Sequence, residues 1–248
     1  MDVHPRQSVT DSINWGILGN ANIARACILP AIQSSHNGIV RALGTRTPSQ
    51  AEHIAKKHTI QHIYPSYLDV IEDPDIDAVY NPLPNHLHHE WTIRALNHGK
   101  HVLCEKPIAC NADEAAEMVQ TAKKAGLLLM EALSYRFHPR SQRIKAMVKE
   151  GSIGKPHLIR SAFCFNMGEE LLQSGDNARL KPEMGGGALM DVGCYSVSLA
   201  RWILEAEPEI VQAQALYHKS GVDQHFIGSL RFPNDLLATV EALSLIHI

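Results

Sequence analysis

The chain has 248 residues, enough for one large domain or two modest ones, and its 45% hydrophobic and 20% charged content is that of an ordinary globular protein. A formal net charge of -3 with no basic block argues against nucleic acid and membrane partners, and no apolar run approaches the ~20 residues of a membrane helix. The polar start MDVHPRQSVTDS lacks an apolar secretory core, and Cys27, Cys104, Cys110, Cys164 and Cys194 show neither a CxxC pair nor metal-like spacing. They are expected as reduced, buried thiols of a cytoplasmic protein.

Residues 1–12 read as a flexible tail. INWGILG, Ile13 to Gly19, is a short buried strand ending in glycine. In NIARACILPAIQSS, Ile23, Cys27 and Ala31 share a helical face. GIVRALGTR is a second strand, and SQAEHIAKKH a short helix with Ser49 as its cap. DIDAVYNPLP is a strand that runs into a turn broken by Pro82 and Pro84. Asn85 stands ready to cap the helix HHEWTIRALNHG, which Gly99 stops. HVLCEKP is the next strand. NADEAAEMVQTAKKAG is a helix with acids first and lysines last, as its dipole favours, and LLLMEALS is a further strand. This alternation predicts a doubly wound parallel sheet with helices on both faces, a dinucleotide-binding domain over residues 13–134.

The rhythm then changes. HPRSQRIKAMVKEGSIG reads as a helix, KPHLIRSAFCF as a strand, residues 167–187 as a glycine-containing loop, and DVGCYSVSLARWIL as a helix. EIVQAQALYH, DQHFIGSLRF and LLATVEALSLI follow as consecutive strands joined by hairpin-length links. They predict an antiparallel sheet and a second, α+β domain over residues 135–248. The chain stops at LSLIHI on an apolar strand, so that domain is expected to be incomplete.

Five stretches bear on chemistry. In GILGNANIA, Gly19, Ala21 and Ala24 occupy the three small positions of G-x-G-x-x-G/A, where a pyrophosphate approaches backbone at a helix start. Ala21 stands where glycine is usual. The second strand ends in GTRTPS, with no acid for a ribose 2′-hydroxyl but with Thr45 and Arg46, a pair suited to a 2′-phosphate. NADP is therefore expected over NAD, the alternative being an arginine that merely faces solvent. In NPLPNHLHHE, His86, His88 and His89 raise the question of a metal. No HExxH or cysteine partner accompanies them, and adjacent histidines on a helix cannot both face one ion, so no metal is expected.

Lys106 in CEKP follows a strand end in such a sheet, where ligands bind, and Pro107 restrains its backbone. The alternative is an exposed lysine paired with Glu105. In MGGGALMDVGCYSV, Asp191 and Tyr195 lie four apart on one helix face, with Asp191 able to begin the helix and Gly185, Gly186 and Gly187 leaving room for a close partner or a mobile loop. A phenol with a reference pKa of ~10 is a poor base, but a nearby ammonium such as that of Lys106 favours its ionised form.

Taken together, these motifs resemble the Gfo/Idh/MocA family (glucose–fructose oxidoreductase and inositol dehydrogenase) from Ile13 to about Glu241. The match is carried by Gly16–Ala24, by Pro84, Asn85 and His88, by Glu105-Lys106-Pro107, and by Asp191, Gly193 and Tyr195. MEALSYRFHPR and GGGALMDVGCY look closest to the branch with glucose–fructose oxidoreductase, NADP-dependent xylose dehydrogenases and dimeric dihydrodiol dehydrogenases; many other members carry histidine at the Tyr195 position.

The resemblance implies a Rossmann domain, then an α+β domain with an open, mostly antiparallel sheet. It implies hydride transfer between NADP(H), or NAD(H), and a sugar, polyol or cyclic diol. Trans-dihydrodiol oxidation and keto-sugar reduction are the near alternatives, and a catalytically silent NAD(P)-binding sensor the distant one. By residue match, Lys106 orients substrate and ribose, Asp191 positions substrate, and Tyr195 is the general acid/base. The residues expected at the cofactor are Gly19, Ala21, Asn22, Ile23, Thr45, Arg46, Asn81, Pro82, Asn85, His88, Glu105 and Lys106. Members often pair through the outer face of the second sheet, so a homo-oligomer is expected of the full-length protein.

Overall fold

The computed structural model describes residues 12–168, 170 and 177–243. The expectations for the tail before Ser12, for most of the stretch from 169 to 176 and for the last five residues therefore lie outside the described residues. The chain divides into two compact units, Met1–Leu83 with Leu87–Glu131, and Pro84–His86 with Ala132–Ile248.

The first unit is built on a six-stranded sheet of β1 (Ile13–Leu18), β2 (Gly38–Gly44), β3 (His62–Tyr64), β4 (Ala78–Asn81), β5 (His101–Cys104) and β6 (Leu129–Glu131). Every pairing is parallel, and the order is β3-β2-β1-β4-β5-β6. The order reverses between β1 and β4, the point where such sheets open a crevice at their carboxyl ends. Adjacent residues of β1 show why both faces are covered. Ile17 packs with Ala24, Leu29, Val40 and Tyr80, while Leu18 packs with Val70, Ile71, Val79 and Leu96. The first cluster lies under α1 (Leu29–Ser34) and α2 (Pro48–Lys57), the second under α3 (Tyr67–Glu72), α4 (His88–Asn97) and α5 (Ala112–Ala125).

Several local expectations are corrected. The short strand β3 and helix α3 were not foreseen, because QHIYPSYLDVIEDP is too brief for a clear period. The helix after Gly19 opens with a π-helical turn, Ala24–Ile28, whose wider ring shifts the buried face. Ala24, Leu29 and Ile32 turn inward, whereas Ile23, Cys27 and Ala31 are exposed. Ser49 is not a cap: Thr47 holds that position, Pro48 follows, and no side chain bonds the first turn. Asn85 does not cap α4, whose N-cap is Leu87. Of the cysteines, all are free but only Cys104 is buried; Cys27 is exposed and the others are half-buried. The α5 helix is as expected, with Asn111 accepting from the Glu114 N–H at 2.9 Å and Gly126 closing it in the left-handed region.

The second unit begins with α6 (Pro139–Lys149) and β7 (Leu158–Cys164). Two short 3-10 turns follow, Ala178–Leu180 and Pro182–Met184, and then a π-helical turn, Leu189–Gly193, that leads into α7 (Cys194–Leu204). Strands β8 (Ile210–Tyr217), β9 (Asp223–Phe232) and β10 (Leu236–Leu243) complete a sheet of order β7-β10-β9-β8. β8, β9 and β10 pair antiparallel, and β7 runs parallel to β10. Ala200 of α7 packs with Leu230, Phe232, Ala238 and Val240 on one face of this sheet. Asp191 thus lies inside a helical segment and does not begin it. Among the described residues no helix is long and apolar enough to cross a membrane.

The caps give a direct check. Replacing Asn111 with alanine is expected to cost about 1 kcal/mol in urea unfolding, whereas Ser49→Ala, with no cap to lose, stays within about 0.5 kcal/mol of the parent. A reversed order would invalidate this assignment of the two helix starts.

Candidate active site

In the first unit the turn after β1 is shaped for close approach. Gly19 has φ +105°, and a Cβ there would lie 3.1 Å from Leu83 Cδ2. Its N–H donates to the Gly44 carbonyl at 2.8 Å, tying the turn to the end of β2. Ala21 is half-buried, Asn22 is exposed and accepts from the Arg25 guanidinium, and Ile23 keeps 42% of its surface open. Asn20 Oδ1 is buried without a hydrogen-bond partner among the described residues. A bare glycine backbone fits the close approach of a pyrophosphate, and the unmet Asn20 Oδ1 beside it fits a donor such as a ribose hydroxyl. At the end of β2, Thr45 is buried, its N–H donating to Tyr64 O at 2.9 Å and its Oγ1 accepting from the Thr47 N–H at 3.3 Å. Arg46 beside it is exposed.

The loops after β4 and β5 are joined by buried side chains. Asn81 Nδ2 donates to the His88 carbonyl at 3.2 Å and to Thr92 Oγ1 at 3.3 Å, while its Oδ1 accepts from the Leu83 N–H at 3.3 Å. Pro82 is buried beside it. His88 is 1% exposed. Its Nδ1 lies 2.7 Å from the Pro107 carbonyl and its Nε2 2.7 Å from the Leu83 carbonyl. Burial holds this ring below the usual imidazole range, against the pull of the two carbonyls toward the protonated form.

The Lys106-Pro107 peptide is cis, and the backbone around it is fixed at several points. The Glu105 N–H donates to Asn81 O at 3.0 Å, Tyr80 Oη–H donates to Glu105 Oε1 at 2.6 Å, and the Ile108 N–H donates to Glu131 Oε1 at 3.0 Å. Burial, with Glu105 adding to it, raises the Tyr80 phenol far above its ordinary value, so it stays a donor. Burial also pushes the Cys104 thiol up to about 12, which makes it inert. Lys106 is half-buried in this loop. Asn81 and His88, expected at the cofactor, thus serve the loop from inside. His86 is exposed and His89 meets Glu117 Oε2 at 2.9 Å. Among the described residues no group of three or more His, Cys, Asp or Glu is placed to hold a metal ion.

In the second unit Asn85 Nδ2 donates to the Gly185 carbonyl at 2.8 Å. Asp191, 8% exposed, accepts from Arg179 Nε at 2.6 Å. Tyr195 is half-buried, with its ring 5.3 Å from that of Phe163 and 6.2 Å from that of Tyr135. Tyr135 Oη is 2.8 Å from Ser198 Oγ, one turn beyond Tyr195, and Arg136 Nη2 donates to the same Oγ at 2.7 Å. The glycines have separate tasks. A Cβ at Gly186 would meet the Arg179 carbonyl at 2.5 Å, and one at Gly187 would meet Asp223 Oδ1 at 2.0 Å. Asp223 Oδ2 in turn accepts from the Leu189 N–H at 2.7 Å and fixes the start of the π-helical turn.

Tyr80, Glu131, Arg179 and Asp223 were missed in the sequence. Only Glu131 stands in a stretch singled out above, MEALSYRFHPR, and only pairing across the fold joins the four to the expected residues. Lys106 and Tyr195 are half-buried and Asp191 is buried, and all three have partners.

Residues 13–133 match the oxidoreductase family GFO/IDH/MocA, NAD-binding Rossmann fold, and residues 141–247 match the GFO/IDH/MocA C-terminal domain. The chain is 37% identical over 228 residues to D-xylose 1-dehydrogenase (NADP(+)) 2 of Haloferax volcanii, covering 92% of this chain and 68% of that protein. It is 35% identical to trans-1,2-dihydrobenzene-1,2-diol dehydrogenase of Xenopus tropicalis, covering 85% of this chain and 62% of that protein. Among solved structures it resembles a mutant of KijD10, a 3-ketoreductase from Actinomadura kijaniata in complex with TDP-benzene and NADP. The TM-score is 0.86 at 30% identity, covering 95% of this chain and 71% of that one. The chain thus spans about two thirds of the length of these relatives.

The buried ring of His88 yields a pH dependence. Its folded pKa is lowered, so below about 6.5 the unfolded chain takes up a proton that the folded one refuses. Its contribution is complete above that pH and is lost as pH falls through the folded value; His58, also lowered by burial, adds to the trend. In urea unfolding at pH 7.5, 6.5 and 5.5, His88→Gln is expected to be less stable at pH 7.5 by about 1–3 kcal/mol but to fall less steeply than the parent. Parallel pH curves would show that this ring is not held neutral.

Proposed function

The chain belongs to the Gfo/Idh/MocA oxidoreductase family, and on that premise we propose that it transfers a hydride between NADP(H) and a CH–OH or C=O carbon of a sugar or cyclic diol. The observation that carries the proposal is the fixed loop at Lys106. Tyr80, His88 and Glu131 bond Glu105, Pro107 and Ile108 around that lysine. A solubilising lysine needs no such restraint, and the loop follows a strand end next to the switch point of the sheet.

The dinucleotide would lie on the Gly19–Ile23 turn, with Arg46 at its 2′-phosphate, and its nicotinamide supplies the hydride acceptor or donor when bound. Lys106 orients the substrate and the cofactor ribose. In the oxidative direction Tyr195 Oη takes the hydroxyl proton as the C–H hydride leaves and the carbon becomes C=O; in reduction the phenol returns the proton. Asp191 accepts from a substrate hydroxyl and so fixes which carbon is presented. The relatives' activities on D-xylose and on a trans-dihydrodiol support a substrate with adjacent hydroxyls. The exposed residues Ile210, Leu216, Ile227 and Leu237 on the second sheet favour a homo-oligomer, and the free cysteines favour a cytoplasmic location.

Two variants test this reading. With aldoses and cyclic diols screened by absorbance of the reduced cofactor, Tyr195→Phe should lower kcat by about 10²–10⁴-fold while cofactor binding persists; unchanged turnover removes Tyr195 from the chemistry. Arg46→Asp should weaken NADP binding by tenfold or more on the order of a lost charged hydrogen bond, with NAD binding altered far less. Equal losses for both cofactors, measured by titration, would return Arg46 to the surface.

A further inference from the structure

Asp191 has a partner that the proposed reaction leaves without a task. Arg179 Nε donates to Asp191 Oδ2 at 2.6 Å, yet the two side chains differ in exposure: 11% for Asp191 and 48% for Arg179. A cation present only to neutralise a buried acid would be buried with it, since an exposed partner screens poorly and is worth little. Arg179 instead reaches from solvent to the acid. Its backbone is also fixed. The Arg179 N–H donates to Asn177 Oδ1 at 3.0 Å, and its carbonyl accepts from the Gly187 N–H at 2.9 Å. The same carbonyl lies where a Cβ of residue 186 would be, at 2.5 Å, so Gly186 is what permits this packing.

An arginine fixed at both its backbone and its Nε is a preorganised donor. Nε is committed to Asp191, and the planar guanidinium carries four further N–H donors in the same fork. The pairing with Asp191 offsets the positive charge, which favours the oxygen of a neutral hydroxyl over a carboxylate or phosphate. We propose that Arg179 is a substrate-binding residue that reads the second hydroxyl of a vicinal diol, the one beside the carbon that reacts, while Asp191 holds the reacting end. This rests on the reading of Asp191 given under Proposed function and narrows its substrate class to neutral compounds with adjacent hydroxyls.

The test compares D-xylose with its 2-deoxy analogue on the parent protein, Arg179→Gln and Arg179→Lys. Arg179→Gln should raise KM for D-xylose by roughly 10- to 100-fold, the scale of a charged hydrogen bond to substrate, with kcat changed less than about threefold and NADP affinity kept. The parent should suffer a similar loss on the 2-deoxy sugar, and Arg179→Gln no further loss, because the same contact is removed from either side. Arg179→Lys, which keeps the charge but not the planar fork, should fall between. Equal proportional losses on both sugars would make Arg179 only a support for Asp191 and overturn the proposal. Saturation-transfer NMR of the same sugars separates the two readings. A parent protein that binds D-xylose better than the 2-deoxy sugar without oxidising it refutes the reaction and supports this contact. A parent that binds both sugars alike overturns the contact, whatever the turnover.

Discussion

The placement of Lys106 depends on one buried imidazole. His88 lies between the carbonyls of Leu83 and Pro107, which belong to the loops after two neighbouring strands of the parallel sheet. Neither loop has regular structure to hold it, and each contains proline, so neither can borrow a full set of ladder bonds. A single ring within 2.7 Å of both carbonyls spans the two loops: neutral, its one N–H bonds one carbonyl at a time, and only the protonated ring would bond both. The net worth of each bond is only about 1 kcal/mol, but an orphaned buried carbonyl costs about 1–3 kcal/mol. For the carbonyl that receives the N–H, the penalty for release exceeds the net worth of the bond, and the buried ring packed between the two loops keeps them together. Asn81 repeats the device one layer further in, bonding Leu83, His88 and Thr92.

The second unit reaches the same end by a different route. Asp191 sits in a π-helical turn, where one extra residue per ring is accommodated and the usual helical spacing is altered. That turn is fixed by the Asp223 carboxylate through the Leu189 N–H, and Gly187 lets the carboxylate approach where any Cβ would collide. Gly186 does the same for the Arg179 carbonyl. The run of glycines is thus a flat surface on which two polar groups are laid. Of the two readings of Gly185-Gly186-Gly187, room for a close neighbour is the one met, at Gly186 by a carbonyl and at Gly187 by a carboxylate.

What could be read from the sequence follows the range of the forces involved. Alternating apolar strands and helices with matched caps, such as Asn111 and Gly126, are local patterns, and they led to the parallel sheet and to the later antiparallel strands. EKP and DxGxY are also local, and they led to Lys106, Asp191 and Tyr195. The failures have two sources. A π-helical turn changes which residues face inward without changing composition, so the face of Ile23, Cys27 and Ala31 was misjudged. Long-range polar partners such as Tyr80 with Glu105, or Arg179 with Asp191, leave no periodic trace, because they are 25 and 12 residues apart and are brought together only by topology.

These differences in support also set what can change in such a fold. Arg46 is exposed beside the buried Thr45, and the bonds at that strand end are made by Thr45. An exposed side chain without a structural duty can be replaced at little cost to stability, usually within about 0.5 kcal/mol. Arg46 can therefore change without disturbing the sheet, and so, with the role proposed for it, can the choice of dinucleotide. Lys106 is in the opposite position, because its neighbours Glu105, Pro107 and Ile108 each hold or receive a bond from another element. A change in this loop disturbs several polar contacts at once, one of them, between His88 and the Pro107 carbonyl, fully buried. With the role proposed for Arg46, cofactor preference is expected to vary among chains built this way more readily than the geometry around the lysine, because the first would rest on one exposed side chain and the second on several hydrogen bonds from other elements.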